Sequence, residues 1–493
     1  MGHSPVFSKS RYLEGLQCPK LLWKRCNAKD EFPPLDESTR AIFEQGNRVT
    51  ELARSLFPGG IEIEGVTDYD AIIRRTQDLL PQRVSLFEPA IRVASLFARP
   101  DILCPNKDGS WDIFEVKSST KVKDVNLNDV AFQTVCFEKS GLSIRRVHLV
   151  LINNAYVRHG KIDPKALFVI SDVTELIRPL CKQVEANIEL MLKVREQKTC
   201  PEVKIGLQCS TPYDCPLEDL CWKHIPEDSP FIYNRIRKDK ALGFINEGFL
   251  KGADVPAARL NTASHQIIRA SHVAKKVHVE PKALSGFLKK LEFPLYFMDF
   301  ETINPAIPVY ESTRPYEQIP FQFSLHILED WSKKPVHHAF LAENREDPRP
   351  EFLKKLRSLI TPKGSIVAFN MKFEAGCLKN AAEVYPEYGE WVKEIEPRFV
   401  DLLVPFRRFD YYDPKQLGSC SIKALYPALV GKSYDGMAIS GGEQASKEYV
   451  RVTFTDGVPE AEKRKIYDGL LEYCKLDTQA MIDVLKVLKK VGG

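Results

Sequence analysis

The sequence predicts an α/β protein of two domains joined by a small helical connector, and three observations lead there. The chain has 493 residues, more than one hydrophobic core normally organises. Apolar runs of strand length alternate with helix-length amphipathic stretches in two blocks, one before the cysteine-rich segment near residue 209 and one after Pro294. The stretch 231–292 between them offers no convincing strand, only short helical runs broken by Gly248, Gly252 and Pro256 in a basic setting. The expected divisions are 1–230, 231–292 and 293–493.

In order, the first 27 residues read as a helix nucleated at Ser8 or Ser10, with Tyr12, Leu13, Leu16, Leu21, Leu22 and Trp23 for its apolar face. Residues 36–57 read as a second helix, stopped by Phe57-Pro58-Gly59-Gly60. Strands are expected at 85–88, 91–96, 101–104 and 111–116, then a helix at 128–139, a strand at 146–152 and a helix at 172–196. After Pro294 the expected order is strands at 295–300, 320–328 and 336–341, helix 350–359, strand 365–369, helix 372–383, an extended run at 399–403 and a terminal helix over about 459–490. No internal repeat or low-complexity tract interrupts this order.

Composition narrows the class. With 44% hydrophobic and 28% charged residues the chain is that of a soluble globular protein. No apolar run approaches a membrane span, and Met1–Ser10 lacks the apolar core of a signal peptide, so a cytoplasmic protein without a membrane partner is expected. A net charge of +4 neither demands nor excludes nucleic acid; the basic pairs Arg145-Arg146, Lys275-Lys276, Lys289-Lys290, Arg407-Arg408 and Lys489-Lys490 are solvated surface unless they border a phosphodiester site. Twelve cysteines without an export signal argue against a disulfide framework. Cys104, Cys136, Cys181, Cys377 and Cys474 sit in apolar contexts and read as small core residues.

Three short stretches near the C-terminus carry chemistry: YFMDFET with Asp299 and Glu301, AFNMKFEAGCL with Asn370 and Glu374, and YCKLDTQAM with Tyr473 and Asp477. Residues two apart on a strand face one way, and residues four apart on a helix share a face. Asp299, Glu301, Glu374 and Asp477 can therefore converge to hold two divalent metals, Mg²⁺ or Mn²⁺, which suits phosphodiester hydrolysis. Upstream, Asp101, Glu115 and Lys117 on neighbouring strands and Gln133 on the following helix would form a second metal-dependent hydrolytic site, with Lys117 steadying charge on phosphate. In IGLQCSTPYDCPLEDLCWKH, Cys209, Cys215 and Cys221 recur at even spacing among prolines. A fourth ligand would be Cys18, with Cys26 and Cys200 as competitors; zinc and an iron–sulfur cluster are both open, the long spacing favouring the cluster. His148, His326, His337 and His338 have no partner pattern and read as structural.

Residues 5–225 resemble the RecB-like PD-(D/E)XK nucleases that carry a cysteine cluster. Asp101 matches the lone acid, Glu115 and Lys117 the E-x-K, and Gln133 the helix glutamine. The resemblance implies a restriction-endonuclease-like domain whose Cys18, Cys209, Cys215 and Cys221 hold a [4Fe–4S] cluster. It departs from the family where an early helix histidine is expected: Thr50 stands there, with Glu51 beside it as a substitute ligand and Glu88 as a weaker candidate. Residues 293–490 resemble DnaQ-like exonucleases of the RNase H fold. Asp299 and Glu301 match the first motif, and Asn370 with Glu374 the second, in which the acid is normally Asp. Tyr473 and Asp477 match the tyrosine version of the third, and Asp401-Leu402-Leu403 and SIKAL from Ser421 fit the segment between. The layout resembles a bacterial family that fuses the two domains. It implies a 3′–5′ exonuclease, acting on DNA in preference to RNA, in DNA repair or nucleic-acid processing, with Tyr473 orienting the attacking water. A rival reading is a non-catalytic nucleic-acid-binding or scaffold protein with degenerate acid sites and a structural Zn²⁺.

Overall fold

A computed structural model of the chain describes residues 6–34, 37–63 and 68–492 and is a mixed α/β structure. It divides into two compact units. The first holds the described residues up to Lys223 together with Pro305–Tyr316; the second holds His224–Asn304 and the described residues from Glu317 onward. The stretch 231–292 lies wholly within the second unit.

The first unit is built on a six-stranded sheet in the order Ile61–Glu62, Leu86–Phe87, Ile102–Pro105, Trp111–Lys117, Ile144–Ile152, Phe168–Asp172. Trp111–Lys117 pairs antiparallel with Ile102–Pro105 and parallel with Ile144–Ile152. A parallel pair needs a crossover, and the helix Asp124–Lys139 supplies it. That helix is apolar on nearly every side because it is covered on nearly every side: Val130, Phe132, Val135 and Phe137 pack among Val147, Leu149, Ile177 and Val184. The expected first helix is two, Lys9–Gln17 and Pro19–Asn27. Cys18 between them is extended at φ −162°, because the residue before a proline is pushed out of the helical region. The strand expected at 91–96 is a hairpin, Ile91–Val93 with Leu96–Ala98, turning at Ala94 with φ +51°. Helix Tyr69–Leu79 was not anticipated.

The second unit carries a five-stranded sheet in the order Val336–Leu341, Ile319–Leu328, Leu295–Ile303, Ser365–Ala368, Phe399–Asp401. The first three strands are antiparallel; the last two run parallel to the central one. The terminal helix Glu460–Gly492 docks on the central strands, and polar groups fix its register. Gln322 Nε2 donates to the Leu470 carbonyl at 2.8 Å, and Thr478 Oγ1 meets Ser324 Oγ and His326 Nδ1, each at 2.7 Å. Burial pushes His326 down to about 3, so it stays neutral and structural. The stretch 231–292 contains one strand the sequence reading missed, His278–Val279, paired with Tyr411–Tyr412. Ile232, Tyr233 and Phe244 share a core with Phe409 and Tyr412. Gly418 permits this closeness: at φ +77° a Cβ there would fall 1.7 Å from the Ile232 carbonyl oxygen.

Candidate functional site

In the second unit, Leu295–Ile303 is the central strand: Ile319–Leu328 pairs along its whole length, but Ser365–Ala368 pairs only with Leu295–Phe297, so past Phe297 that edge gives way to the acids. Asp299 pairs across from Ser324 and Glu301 from Gln322, immediately before a register irregularity. Glu374, in the first turn of helix Lys372–Val384, and Asp477, mid-way along the terminal helix, point toward the same place. Glu301, Glu374 and Asp477 are buried, with Glu374 only 2% exposed. Asp299 is held well above the usual carboxylate range by burial and then by the charges of Asp477, Glu301 and Glu374. Glu301 is pushed up to about 8 by burial and Asp477, with Lys423 pulling the other way; Glu374 also reaches about 8, through burial and Asp401. Asp477 is raised by burial only to about 6, because Tyr434, Lys423 and Tyr473 offset it.

Tyr434 Oη donates to Asp477 Oδ1 at 2.6 Å, and Tyr473 is hydrogen-bonded to the same carboxylate. Burial and the Asp477 charge keep both phenols protonated and therefore donors. Lys423 Nζ lies 4.9 Å from the Tyr473 ring centroid and 5.6 Å from that of Tyr434, and donates to the Ser440 carbonyl at 2.5 Å. Asp401 contributes differently: its Oδ1 accepts from the backbone N–H of Asn370 at 2.9 Å and of Leu403 at 3.0 Å, fixing the turn that carries Asn370 at φ +74°.

Cys474, expected as plain core, is buried but not isolated. One ligand atom each from Asp299, Glu301 and Cys474 lie within 4.8 Å of one another. The thiol is 3.5 Å from Asp299 Oδ2. Among the described residues, four carboxylates facing one lysine leave the pocket short of positive charge, and Glu374 Oε2 is buried without a hydrogen-bond partner. Such a donor set fits hard divalent cations. The consequence for stability has a definite sign. Without metal the folded state holds its protons more tightly than the unfolded chain, so this site's contribution falls as pH rises from about 4.5 through about 8. Metal-free protein should lose melting temperature across that window, and the gain from added Mn²⁺ should grow with pH; thermal melts at several pH values measure both.

The first unit also gathers its expected residues. Glu115 is buried on Trp111–Lys117, Asp101 just precedes Ile102–Pro105, and Gln133 lies on the crossover helix. Two further residues complete the group: Asp129, one turn before Gln133, and Lys9 from the N-terminal helix. Glu115 Oε1 accepts from Lys9 Nζ at 2.5 Å and Lys117 Nζ at 2.8 Å, while Oε2 accepts from Gln133 Nε2 at 3.0 Å. Asp129 accepts from Lys117 at 2.6 Å and Gln133 at 2.8 Å. Despite burial, the two lysines hold Glu115 below the usual range, whereas burial and Glu115 push Asp101 up to about 7. The Glu115 and Asp129 carboxylates are thus already neutralised by ammonium groups, and a divalent cation there fits poorly. Glu88 borders the group, its N–H donating to the Asp101 carbonyl at 2.9 Å and its carboxylate acting on Asp101, but it is paired with Arg54 and Arg99; Glu51 is exposed on its helix.

Because Glu115 is buried, removing one of its partners should be costly. Lys9→Met should destabilise the unit by about 1–3 kcal/mol, and Lys9→Met with Glu115→Gln should recover much of that. Denaturant melts of the double-mutant cycle test the pairing; additive losses would count against it.

The cysteines of the same unit are drawn together from its two ends. Gln17 Nε2 donates to the carbonyls of Gln208 and Tyr213, and Trp23 Nε1 to that of Gln197. Burial raises the Cys18 thiol, while the N–H groups of Leu21 and Lys20 donate to it and Cys209 and Cys221 act on it electrostatically. Cys215, pushed up to about 11 by burial, accepts from the Leu217 N–H and feels Cys18, Cys209 and Cys221. Cys26 instead faces Arg11, Arg195 and Glu14; Cys200 borders Lys24, Lys20 and, of the other thiols, Cys221.

Residues 296–421 match a family model described as a domain of unknown function, DUF2779. The match includes Asp299, Glu301, Asn370, Glu374 and Asp401 and stops short of Lys423, Tyr434, Tyr473 and Asp477. An "uncharacterized protein MG366 homolog" of Mycoplasma pneumoniae (strain ATCC 29342 / M129 / Subtype 1) is 27% identical over 290 residues, covering 54% of this chain and 43% of that protein. An "uncharacterized protein UU173" of Ureaplasma parvum serovar 3 is 25% identical over 254 residues, covering 47% and 36%. Each match spans less than half of the relative's length. Among the described residues no helix is long and apolar enough to cross a membrane.

Proposed function

We propose that the protein is a metal-dependent nuclease whose working centre is the carboxylate cluster of the second unit, removing nucleotides from the ends of DNA in preference to RNA. The observation that carries this reading is the uncompensated cluster itself: four acids brought together beside a central strand, with protons held by burial first and by neighbouring carboxylates second, and one oxygen left without a partner among the described residues. Asp299, Glu301, Glu374 and Asp477 would hold Mg²⁺ or Mn²⁺, with Cys474 beside them. Bound cations would polarise the phosphoryl oxygens and supply hydroxide near neutral pH. The chain's own residues do the rest. Tyr434 and Tyr473 orient Asp477, Tyr473 stands where it can position a water, and Lys423 balances charge at the rim. The RNase H-like fold of the DnaQ-like exonucleases accords with the five-stranded mixed sheet and the acids at its centre.

In the first unit the geometry accords with a RecB-like PD-(D/E)XK fold, but Glu115 and Asp129 are paired with Lys9 and Lys117, and no step is assigned to a metal there. Its cysteines favour Cys18, Cys209, Cys215 and Cys221 as the ligands of one [4Fe–4S] cluster. Four thiolates on one zinc ion lie about 3.8 Å apart, given Zn–S bonds of about 2.3 Å. A [4Fe–4S] cluster instead takes one thiolate per iron, and the long, proline-interrupted spacing of Cys209, Cys215 and Cys221 favours it over a compact zinc site.

Digestion of end-labelled single- and double-stranded DNA and RNA with Mg²⁺ or Mn²⁺ tests the nuclease reading. Tyr473→Phe should retain metal binding and lose about a hundredfold in rate; cleavage at the wild-type rate would remove the water-positioning role. No metal-dependent cleavage of any substrate would favour the binding or scaffold reading.

A further inference from the structure

We infer that a cleft in the second unit carrying Arg235 and Arg407 is the subsite that grips the phosphodiester backbone of a single nucleic-acid strand beside the acid centre. This rests on the nuclease reading. The cleft has a volume of about 480 Å³ and is lined by Asn234, Arg235, Phe369, Asn370, Arg407 and Lys423 among others. It adjoins the acid centre through two residues. Lys423 acts electrostatically on Glu301 and Asp477, and Asn370 is anchored through its N–H to Asp401.

The two arginines come from stretches far apart in sequence, yet both act on the Cys420 thiol in the cleft lining. Both are exposed, and among the described residues neither is ion-paired to a carboxylate. Arg407 makes only a long contact, 3.4 Å, to Asn370 Oδ1. Guanidinium groups without carboxylates, set beside a cluster of acids, favour a ligand carrying its own anions at fixed spacing, as a phosphodiester backbone does.

Arg235 is also held in an unfavourable conformation. Its φ is +57°, a left-handed value that a non-glycine residue keeps only when its surroundings impose it, at a cost of order 1 kcal/mol. The surroundings are evident: Asn234 Nδ2 donates to the Gly418 carbonyl at 3.2 Å, a His265 ring nitrogen meets the Asn234 carbonyl at 2.9 Å, and Gly418 abuts Ile232. The stretch 231–292 thereby fixes one wall of the cleft. With Phe369 available to stack a base, the volume suits about one or two unpaired nucleotides rather than a duplex.

The test is fluorescence anisotropy of labelled DNA and RNA dodecanucleotides in EDTA, with salt titrated, on wild type, Arg235→Ala, Arg407→Ala and Arg235→Lys. Each alanine variant should bind about tenfold more weakly at low salt and lose about one unit of the log–log salt slope, whereas Arg235→Lys should keep the slope. Every variant should retain the Mn²⁺-dependent rise in melting temperature, which shows that the fold and acid centre are intact. Wild type that binds neither strand, or alanine variants whose affinity and slope match wild type, would overturn the inference. Those outcomes leave the acid centre standing if the Mn²⁺ effect persists. Loss of the Mn²⁺ effect in wild type, with arginine-dependent binding retained, would sink the nuclease reading and leave the cleft.

Discussion

Asp299→Asn should abolish metal-dependent cleavage, by about a thousandfold or more, while raising the melting temperature of the metal-free protein at pH 8. The catalytic loss follows from removing the carboxylate on which the other three acids act most directly. The stabilisation has the same origin. Burial and neighbouring charges raise Asp299 well above its ordinary value, so its folded form gives up its proton reluctantly and loses stability as pH rises. An amide of the same shape carries no such charge, so the gain should be clear at pH 8 and vanish near pH 4. Mn²⁺ should stabilise wild type and not the variant. Cleavage that survives Asp299→Asn and disappears with Lys117→Ala would transfer the activity to the first unit.

Cys18→Ser is expected to strip iron from the protein and weaken the first unit by about 4–5 kcal/mol. Cys18 opens the helix Pro19–Asn27, whereas Cys209, Cys215 and Cys221 lie near that unit's other end, so a shared cluster closes a loop spanning most of it. Wild type purified without oxygen should be brown with about four irons per chain, and the serine variant pale. A colourless wild type carrying one zinc would sink the cluster assignment. Cys26→Ser should change neither colour nor iron content, because Cys26 faces Arg11 and Arg195 rather than the other thiols.

Much of this was legible in the sequence where chemistry and periodicity coincide. Asp299 and Glu301 stand out because acids in an otherwise apolar strand need partners, and Tyr473 with Asp477 keeps helical spacing. Asp129 was equally accessible, four residues before Gln133 on one helix face, and was missed because a surface acid looks the same in one dimension. Lys9 was not accessible: its pairing with Glu115 spans 106 residues and leaves no local trace. Tyr434 and Lys423 are likewise brought to Asp477 by tertiary packing alone. The strand His278–Val279 is too short to show alternation, and Ala94 turns a run that reads as continuous strand into a hairpin.

Pro305–Tyr316 belongs to the first unit although it is encoded between the first two strands of the second unit's sheet. Ala306 is fully buried in a core with Val49, Val116 and Ile152, and Tyr316 Oη donates to the Ser118 carbonyl at 2.6 Å. Arg158 donates to the carbonyls of Pro308 and Val309. No single stop codon or start codon can therefore separate the two bodies. A gene fragment ending at residue 223 would yield a first unit with a hole in its core, and one beginning at 224 would carry that missing plug with nowhere to seat it.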